Sequence, residues 1–204
     1  MKAIVTTFGR MNPPTVGHQK LINRVKSLAK SQNAEHDIRV SHSVDPKKNP
    51  LTSEQKLKHL GRIFPNTNFS ASSKEHPSFI HHLKQLHASG YTHVTMVAGD
   101  DRIPEYQRII DKYNHPAGEF NFKSIKLVSA GKRDPDAEGV EGMSASKMRS
   151  HAQSGNYESF RSGLPDHVSH EHAKALYDDV RNGMGLKNES VFLRFKSWIM
   201  LESK

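Results

Sequence analysis

The chain contains no cysteine, so it can form neither a disulfide nor a thiolate metal site, and zinc fingers are excluded. No apolar run approaches the roughly 20 residues that a membrane span needs. The N-terminal segment also lacks the apolar core of a secretory signal. A cytoplasmic location suits these absences best, and no membrane partner is expected. Neither G-x-x-x-x-G-K-[ST] nor G-x-G-x-x-G occurs, which argues against P-loop kinases and typical dinucleotide dehydrogenases. H-E-x-x-H is missing too. His81-His82 and His170/His172 have spacings that cannot face one way on a helix, so no protein-held metal site is expected. Aromatic residues make up only 7% of the chain and form no RNP-like pattern.

What remains is a basic, polar chain of 204 residues with a net charge of +9. A charge of this sign suits either nucleic acid or a small polyphosphate drawn into a cleft. The basic residues are scattered rather than massed in a tail, which favours the small polyphosphate and disfavours nucleic-acid binding as the main role.

The densest signal runs from Phe8 to Ile22, F-G-R-M-N-P-P-T-V-G-H-Q-K-L-I. It follows an apolar run, Ala3-Ile4-Val5, and leads into a helix on which Leu21, Ile22, Val25, Leu28 and Ala29 share a face. A strand therefore enters a loop holding Gly9 and two prolines, then a helix whose first turn carries Thr15, Gly17 and His18. Helix starts offer unpaired N–H groups and the positive end of the dipole, so an anion fits there. Thr15 and His18 can each add a donor, and Gly17 lets a ligand come close to the backbone. From spacing alone, loop punctuation and a surface histidine account for these residues equally well.

A second helix start lies at Met143-Ser-Ala-Ser-Lys-Met-Arg149, where Ser144 can cap and Arg149 brings a forked, fixed charge. By itself this pattern is weak.

Between the two motifs, strand and helix patterns alternate. Strands are expected at Lys2 to Phe8, around Ile38 and Val40, around Phe69, at His93 to Ala98 and at Ser124 to Ser129. Helices are expected from Val16 to about Lys30, after a Thr52–Gln55 capping box with Leu57, Leu60 and Ile63 inward, and from Pro77 with Phe79, Ile80, Leu83 and Leu86 on one face. Another is expected over Ile103, Tyr106, Ile109, Ile110 and Tyr113. The alternation predicts an α/β fold, a Rossmann-like doubly wound parallel sheet with a C-terminal helical extension. Residues 1–150 would form the core and 151–204 the extension packed on it. Val191, Phe192, Phe195, Trp198 and Ile199 mark a strongly amphipathic last helix, expected to pack on its own domain, with a membrane-surface or partner helix as the alternative.

Taken together, the motifs resemble those of a known group. T-V-G-H at 15–18 resembles the T/H-x-G-H signature of the nucleotidyltransferase superfamily, which includes nicotinamide-nucleotide, phosphopantetheine and cytidylyl transferases. G-R-M-N-P-P-T-V-G-H is close to the G-R-F-x-P-x-H-x-G-H opening of several members, with Thr15 in place of the first histidine. M-S-A-S-K-M-R is similar to the family's closing I-S-S-T-x-x-R. The resemblance covers about residues 1–150, and phage-encoded relatives share it.

It implies transfer of a nucleoside monophosphate from ATP or another NTP to a small phosphate-bearing acceptor, with release of pyrophosphate. Thr15, His18 and Arg149 would be the catalytic contacts. Phe8, Gly9, Arg10, Gly17, Gly99, Asp100, Ser144 and Ser146 would form the nucleotide site. By residue chemistry alone, Asp100 could equally cap the helix that follows it. Mg²⁺ would ride on the triphosphate, held by phosphate oxygens and water. Ser41-His42-Ser43 and Lys48-Asn49-Pro50-Leu51-Thr52 are similar to the S-x-x-S-H … N-P-F-T-x-x-E-R region of archaeal-type nicotinamide-mononucleotide adenylyltransferases. The acceptor would then meet Lys48, Asn49 and Thr52. Leu51 departs from the family's aromatic, and Gln55-Lys56 stands where Glu-Arg is usual. Adenylyl transfer to nicotinamide mononucleotide, giving NAD, is the expected reaction. A cytidylyltransferase acting on an alcohol phosphate, a transferase that adenylylates a macromolecule, and a non-catalytic nucleotide-binding module are its rivals. Intact His18 and Arg149 argue against the module. A homo-oligomer is compatible with the sequence.

Overall fold

The computed structural model describes residues 2–131 and 143–186. The amphipathic stretch from Val191 to Ile199 lies outside the described residues. Five strands, β1 (Ala3–Gly9), β2 (Glu35–Val40), β3 (Phe69–Ala71), β4 (His93–Ala98) and β5 (Ser124–Ser129), form one parallel sheet in the order β3-β2-β1-β4-β5. Between them run α1 (Val16–Ser31), α2 (Ser53–Ile63), α3 (Phe79–Ala88) and α4 (Ile103–Tyr113); α5 (Ala145–Gln153), α6 (Tyr157–Arg161) and α7 (His170–Gly183) follow. This is the Rossmann-like doubly wound α/β fold. No described helix is long and apolar enough to cross a membrane.

Strand alternation sorts the core into two layers. Val5, Ile38, Val40 and Val97 face one side with Ile22 and Val25 of α1 and Leu60 and Ile63 of α2. Met148, Phe160, Leu164, Leu176 and Val180 join that same layer, so the helices after β5 have their apolar faces in the core of the sheet domain. Ile4, Val94, Met96 and Ala98 face the other side with Phe79, Leu83, Tyr106 and Ile110.

Helix α2 differs from its expected pattern. Lys56 and His59 are buried beside Leu60 and Ile63, while Leu57 is only partly buried. The reason is α7: His59 Nε2 lies 2.7 Å from the Asp179 carboxylate, which gives a buried imidazole its partner. The expected capping box is present, with the Thr52 hydroxyl accepting from Gln55 N–H at 3.2 Å and Gln55 Oε1 accepting from Thr52 N–H at 2.9 Å.

The second layer also holds a polar seam. Arg39 Nη1 lies 3.3 Å from His82 Nδ1, His82 Nε2 lies 2.9 Å from the Thr6 hydroxyl, and that hydroxyl donates to the Asp37 carbonyl at 2.7 Å. Arginine can only donate, so Nδ1 accepts and the neutral ring carries its proton on Nε2. Burial, and then the charge of Arg39, push the His82 pKa down from 6.5 to about 3. A histidine kept neutral in the folded chain but protonated in the unfolded one destabilises the fold in acid. The melting temperature is therefore expected to fall as pH drops from 6.5 toward about 3. His59, also lowered by burial, adds to the loss. Asp37, raised by burial above its usual 3.8, acts in the opposite sense just above that pH, so the upper part of the window should be steepest. His82→Gln should flatten the dependence in a thermal-melt pH series. An unchanged slope would remove His82 as its source.

Candidate active site

The chain runs from β1 outward to β2 and β3, then returns to place β4 on the other side of β1. The crevice between the carboxyl ends of β1 and β4 is thus the topological switch point, where open α/β sheets take their ligands. Gly9-Arg10 leaves β1 there and Gly99-Asp100 leaves β4. The starts of α1 and α5 approach each other nearby: a Cβ on Gly17 would lie 3.4 Å from Thr15 Oγ1 and 3.6 Å from the Met143 carbonyl. Gly17 itself is exposed, so this gap opens to solvent.

At α1, Thr15 is the N-cap and is fully buried. Its N–H donates to His18 Nδ1 at 3.0 Å, and its hydroxyl lies 3.1 Å from the same nitrogen. That backbone donor makes Nδ1 the acceptor, so a neutral His18 carries its proton on Nε2. The fold thereby sets the tautomer that offers a donor on the ring's far edge. The helix-start amides are not all available, however. Val16 N–H donates to the Gly163 carbonyl at 2.8 Å and His18 N–H to the Thr15 carbonyl at 2.9 Å.

At α5, the Ser144 hydroxyl caps the helix by accepting from Lys147 N–H at 3.2 Å. The Ala145 and Ser146 amides meet no acceptor among the described residues. Arg149 donates from Nη2 to the Ser146 hydroxyl at 3.0 Å and from Nη1 to the Asn12 carbonyl at 2.7 Å. Burial lowers the Arg149 pKa, the nearby Arg10 guanidinium lowers it further, and Asp45 partly offsets both. The two guanidiniums thus feel each other's charge, and neither forms a salt bridge among the described residues. An incoming polyanion relieves that repulsion.

Asn12 is the residue that motif reading passed over. Its side chain is 1% exposed, and it donates from Nδ2 to the Leu51 carbonyl at 3.1 Å while Oδ1 accepts from Leu51 N–H at 3.0 Å. The neighbouring Met11 is buried at φ 44, a left-handed conformation uncommon for a side chain of this kind. The first loop is therefore stitched to the loop between β2 and α2.

That second loop carries the three expected acceptor residues. Asp45 organises it by accepting from Lys47 N–H at 3.0 Å, Lys48 N–H at 2.7 Å and Asn49 Nδ2 at 2.6 Å. Asn49 is buried and Thr52 caps α2, so both have structural partners. Lys48 is exposed. Behind the loop, Lys56 is 0% exposed and donates to the Ser41 carbonyl; burial brings its pKa down from 10.5 to about 8. Ser41 N–H donates in turn to the Gly9 carbonyl at 2.9 Å.

On the β4 side, Asp100 accepts from the Ser129 hydroxyl at the end of β5, and that hydroxyl also accepts from Gly131 N–H at 2.8 Å. Asp100 does not cap α4, whose N-cap is Arg102 with no side-chain bond. The Gly99 carbonyl accepts from Arg102 N–H at 2.9 Å. A Cβ on Gly9 would meet nothing within 4 Å, so the floor beside Arg10 is open. Phe8 is partly buried, its ring centroid 6.1 Å from that of His82, and its carbonyl accepts from the Tyr106 hydroxyl at 3.3 Å. The described residues include no group of three histidines or carboxylates able to hold a metal ion. The concavity of about 400 Å³ between Lys112 and Glu119 belongs to the α4–β5 connection, which leads into the amino end of β5, away from the carboxyl ends of β1 and β4.

No family model matches the chain, and no curated protein matches it in sequence. Solved structures do. A protein of Vibrio parahaemolyticus assigned as a nicotinate-nucleotide adenylyltransferase superposes with a TM-score of 0.54 at 14% identity, over 86% of this chain and 99% of its own. The chain shares the fold of that protein. The Plasmodium falciparum nicotinic acid mononucleotide adenylyltransferase, solved with NaAD, agrees at a TM-score of 0.53 and 11% identity, over 89% of this chain and 96% of its own. The shared fold thus extends over nearly all of each neighbour's length.

Proposed function

We propose that this chain transfers the adenylyl group of ATP to a pyridine mononucleotide, nicotinamide mononucleotide in the first instance, giving NAD and pyrophosphate. The observation that carries the reading is the approach of the two helix starts, with His18 on one, Arg149 on the other and Arg10 beside Arg149. A phosphate oxygen of the acceptor attacks the α-phosphorus of ATP. The new P–O bond forms as the bond from the α-phosphorus to the α,β-bridging oxygen breaks, and pyrophosphate leaves. His18 donates from Nε2 to an α-phosphate oxygen, where negative charge gathers in the transition state. Arg149, Ser146 and the first amides of α5 hold the β- and γ-phosphates, and Arg10 adds charge at the mouth. Lys48 meets the acceptor phosphate. Mg²⁺ bound to the triphosphate would offset charge on the leaving pyrophosphate, and the cationic donor set fits a metal delivered by phosphate oxygens.

A pyrophosphate-release assay tests the reading, with ATP and CTP each paired with nicotinamide mononucleotide, nicotinate mononucleotide and phosphocholine. ATP with a pyridine mononucleotide is expected to be the productive pair. Release only from CTP with phosphocholine would replace adenylyl transfer by cytidylyl transfer.

Arg149→Lys is expected to raise KM for ATP about tenfold or more while moving the acceptor KM less. Lysine is a point charge that cannot keep the two-armed grip on Asn12 and Ser146, and losing a charged hydrogen bond costs about 1.5–3 kcal/mol. Steady-state kinetics with each substrate varied in turn checks this; an unchanged ATP KM would make Arg149 structural.

A further inference from the structure

The first loop does more than carry a motif. The Asn12 carbonyl takes Arg149 Nη1 at 2.7 Å, while its side chain takes both backbone groups of Leu51, at 3.1 and 3.0 Å. One residue therefore contacts the triphosphate arginine with its main chain and the acceptor loop with its side chain. The amide orientation is unambiguous, because Leu51 N–H can only donate and Leu51 carbonyl can only accept. All the intervening groups are buried: Asn12 at 1%, Met11 at 2% and Leu51 at 0% exposure. Arg149 and Leu51 are thus linked through one buried residue. On the far side, the loop is held by the Asp45 bonds to 47–49.

We propose that Asn12 is a positioning residue that couples the triphosphate site to the acceptor loop at 45–52, so that a bound triphosphate orders the acceptor site. The inference rests on the adenylyl-transfer reading of the site. Without an anion, the Arg149 guanidinium feels the like charge of Arg10 while it donates to the Asn12 carbonyl. A triphosphate neutralises that repulsion and fixes the guanidinium. The Asn12 main chain is then anchored, and its side chain passes the constraint to Leu51 and the loop that presents Lys48. Because coupling between two sites is reciprocal, the acceptor tightens triphosphate binding by the same factor. The result is a site in which each substrate favours binding of the other, so the complex holding both is the one that gains.

The test uses the full chain and α,β-methylene-ATP, whose bridging carbon blocks release of pyrophosphate. Two quantities are read with and without the analogue: the Kd of nicotinamide mononucleotide, and hydrogen exchange of the backbone amides at 45–52. In the wild type the analogue is expected to tighten nicotinamide mononucleotide about tenfold, within the range usual for coupled sites, and to slow exchange in the loop. Asn12→Ala should still bind the analogue but lose both responses. Asn12→Asp keeps an acceptor for Leu51 N–H and loses the donor to its carbonyl, so its coupling should be weakened, and it carries the test if the alanine variant does not fold. A merely structural asparagine would lower the melting temperature and leave the response to the analogue intact. Wild-type coupling in either folded variant overturns the proposal. A wild type that binds the analogue and turns over ATP, yet shows no change in loop or acceptor affinity, also overturns it while leaving adenylyl transfer standing. A wild type that does not bind the analogue contradicts the adenylyl-transfer reading itself.

Discussion

Replacing His18 with alanine is expected to lower kcat about 10²–10³-fold, the usual cost of losing a donor aimed at a developing oxyanion, with only a small change in nucleotide affinity. The split follows from where the proton lies. Thr15 N–H at 3.0 Å from Nδ1 leaves Nε2 as the donor, and that donor serves charge that builds as the pyrophosphate departs. The substitution also removes the acceptor for Thr15 N–H, which costs helix-start stability of about 1 kcal/mol. His18→Asn retains a polar side chain at the helix start, so comparing the two variants at equal folded fraction separates catalysis from capping. Both should remain slow. Wild-type kcat in His18→Ala at saturating ATP would place the chemistry elsewhere.

The second large effect concerns the helix behind the acceptor loop. Glycine to alanine in a helix interior ordinarily stabilises by about 1 kcal/mol. At Gly183, near the end of α7, the added Cβ would lie 1.9 Å from the Pro50 carbonyl oxygen and 2.7 Å from its carbon. Backbone cannot swing aside like the tip of a side chain, so α7 and the loop at 49–51 must separate. Overpacking of this kind costs about 1–3 kcal/mol, and a chain of this size loses about 2–4 °C of melting temperature per kcal/mol. Gly61, on the exposed face of α2, offers the internal contrast, since a Cβ there meets nothing within 4 Å. Gly61→Ala should therefore raise the melting temperature while Gly183→Ala lowers it. Gly183→Ala should also raise the acceptor KM, because the displaced segment adjoins Asn49 and Leu51. Differential scanning fluorimetry on the pair reads the first effect, and equal shifts of the same sign would contradict the contact.

Where local chemistry decides an element, the sequence announced it. The Thr52–Gln55 box needs only residues three apart, and both of its bonds form. The apolar stripes of α1 and α4 and the buried run of β4 likewise depend on periodicity alone. Helix α2 shows the limit: apolar spacing marks Leu57, Leu60 and Ile63 and passes over two enclosed polar residues, Lys56, which finds the Ser41 carbonyl, and His59, which meets Asp179 from α7. Asp100 shows it again, since its partner Ser129 lies 29 residues away across the sheet. Asn12 is the sharpest case. A loop asparagine between Met11 and Pro13 looks like turn chemistry, and only the meeting with Leu51, 39 residues on, reveals what it holds. Long-range polar pairing leaves no period in the sequence, and much of this site is built from it.

Adenylyl transfer requires that the α-phosphorus, and no other atom of ATP, reaches the acceptor. The most direct test follows the label when nicotinamide mononucleotide is mixed with ATP carrying ³²P at the α position or, separately, at the γ position. The account predicts that α-label appears in a dinucleotide co-migrating with NAD and that γ-label appears only in pyrophosphate. Transfer of γ-label to nicotinamide mononucleotide, with ADP as the other product, would contradict it.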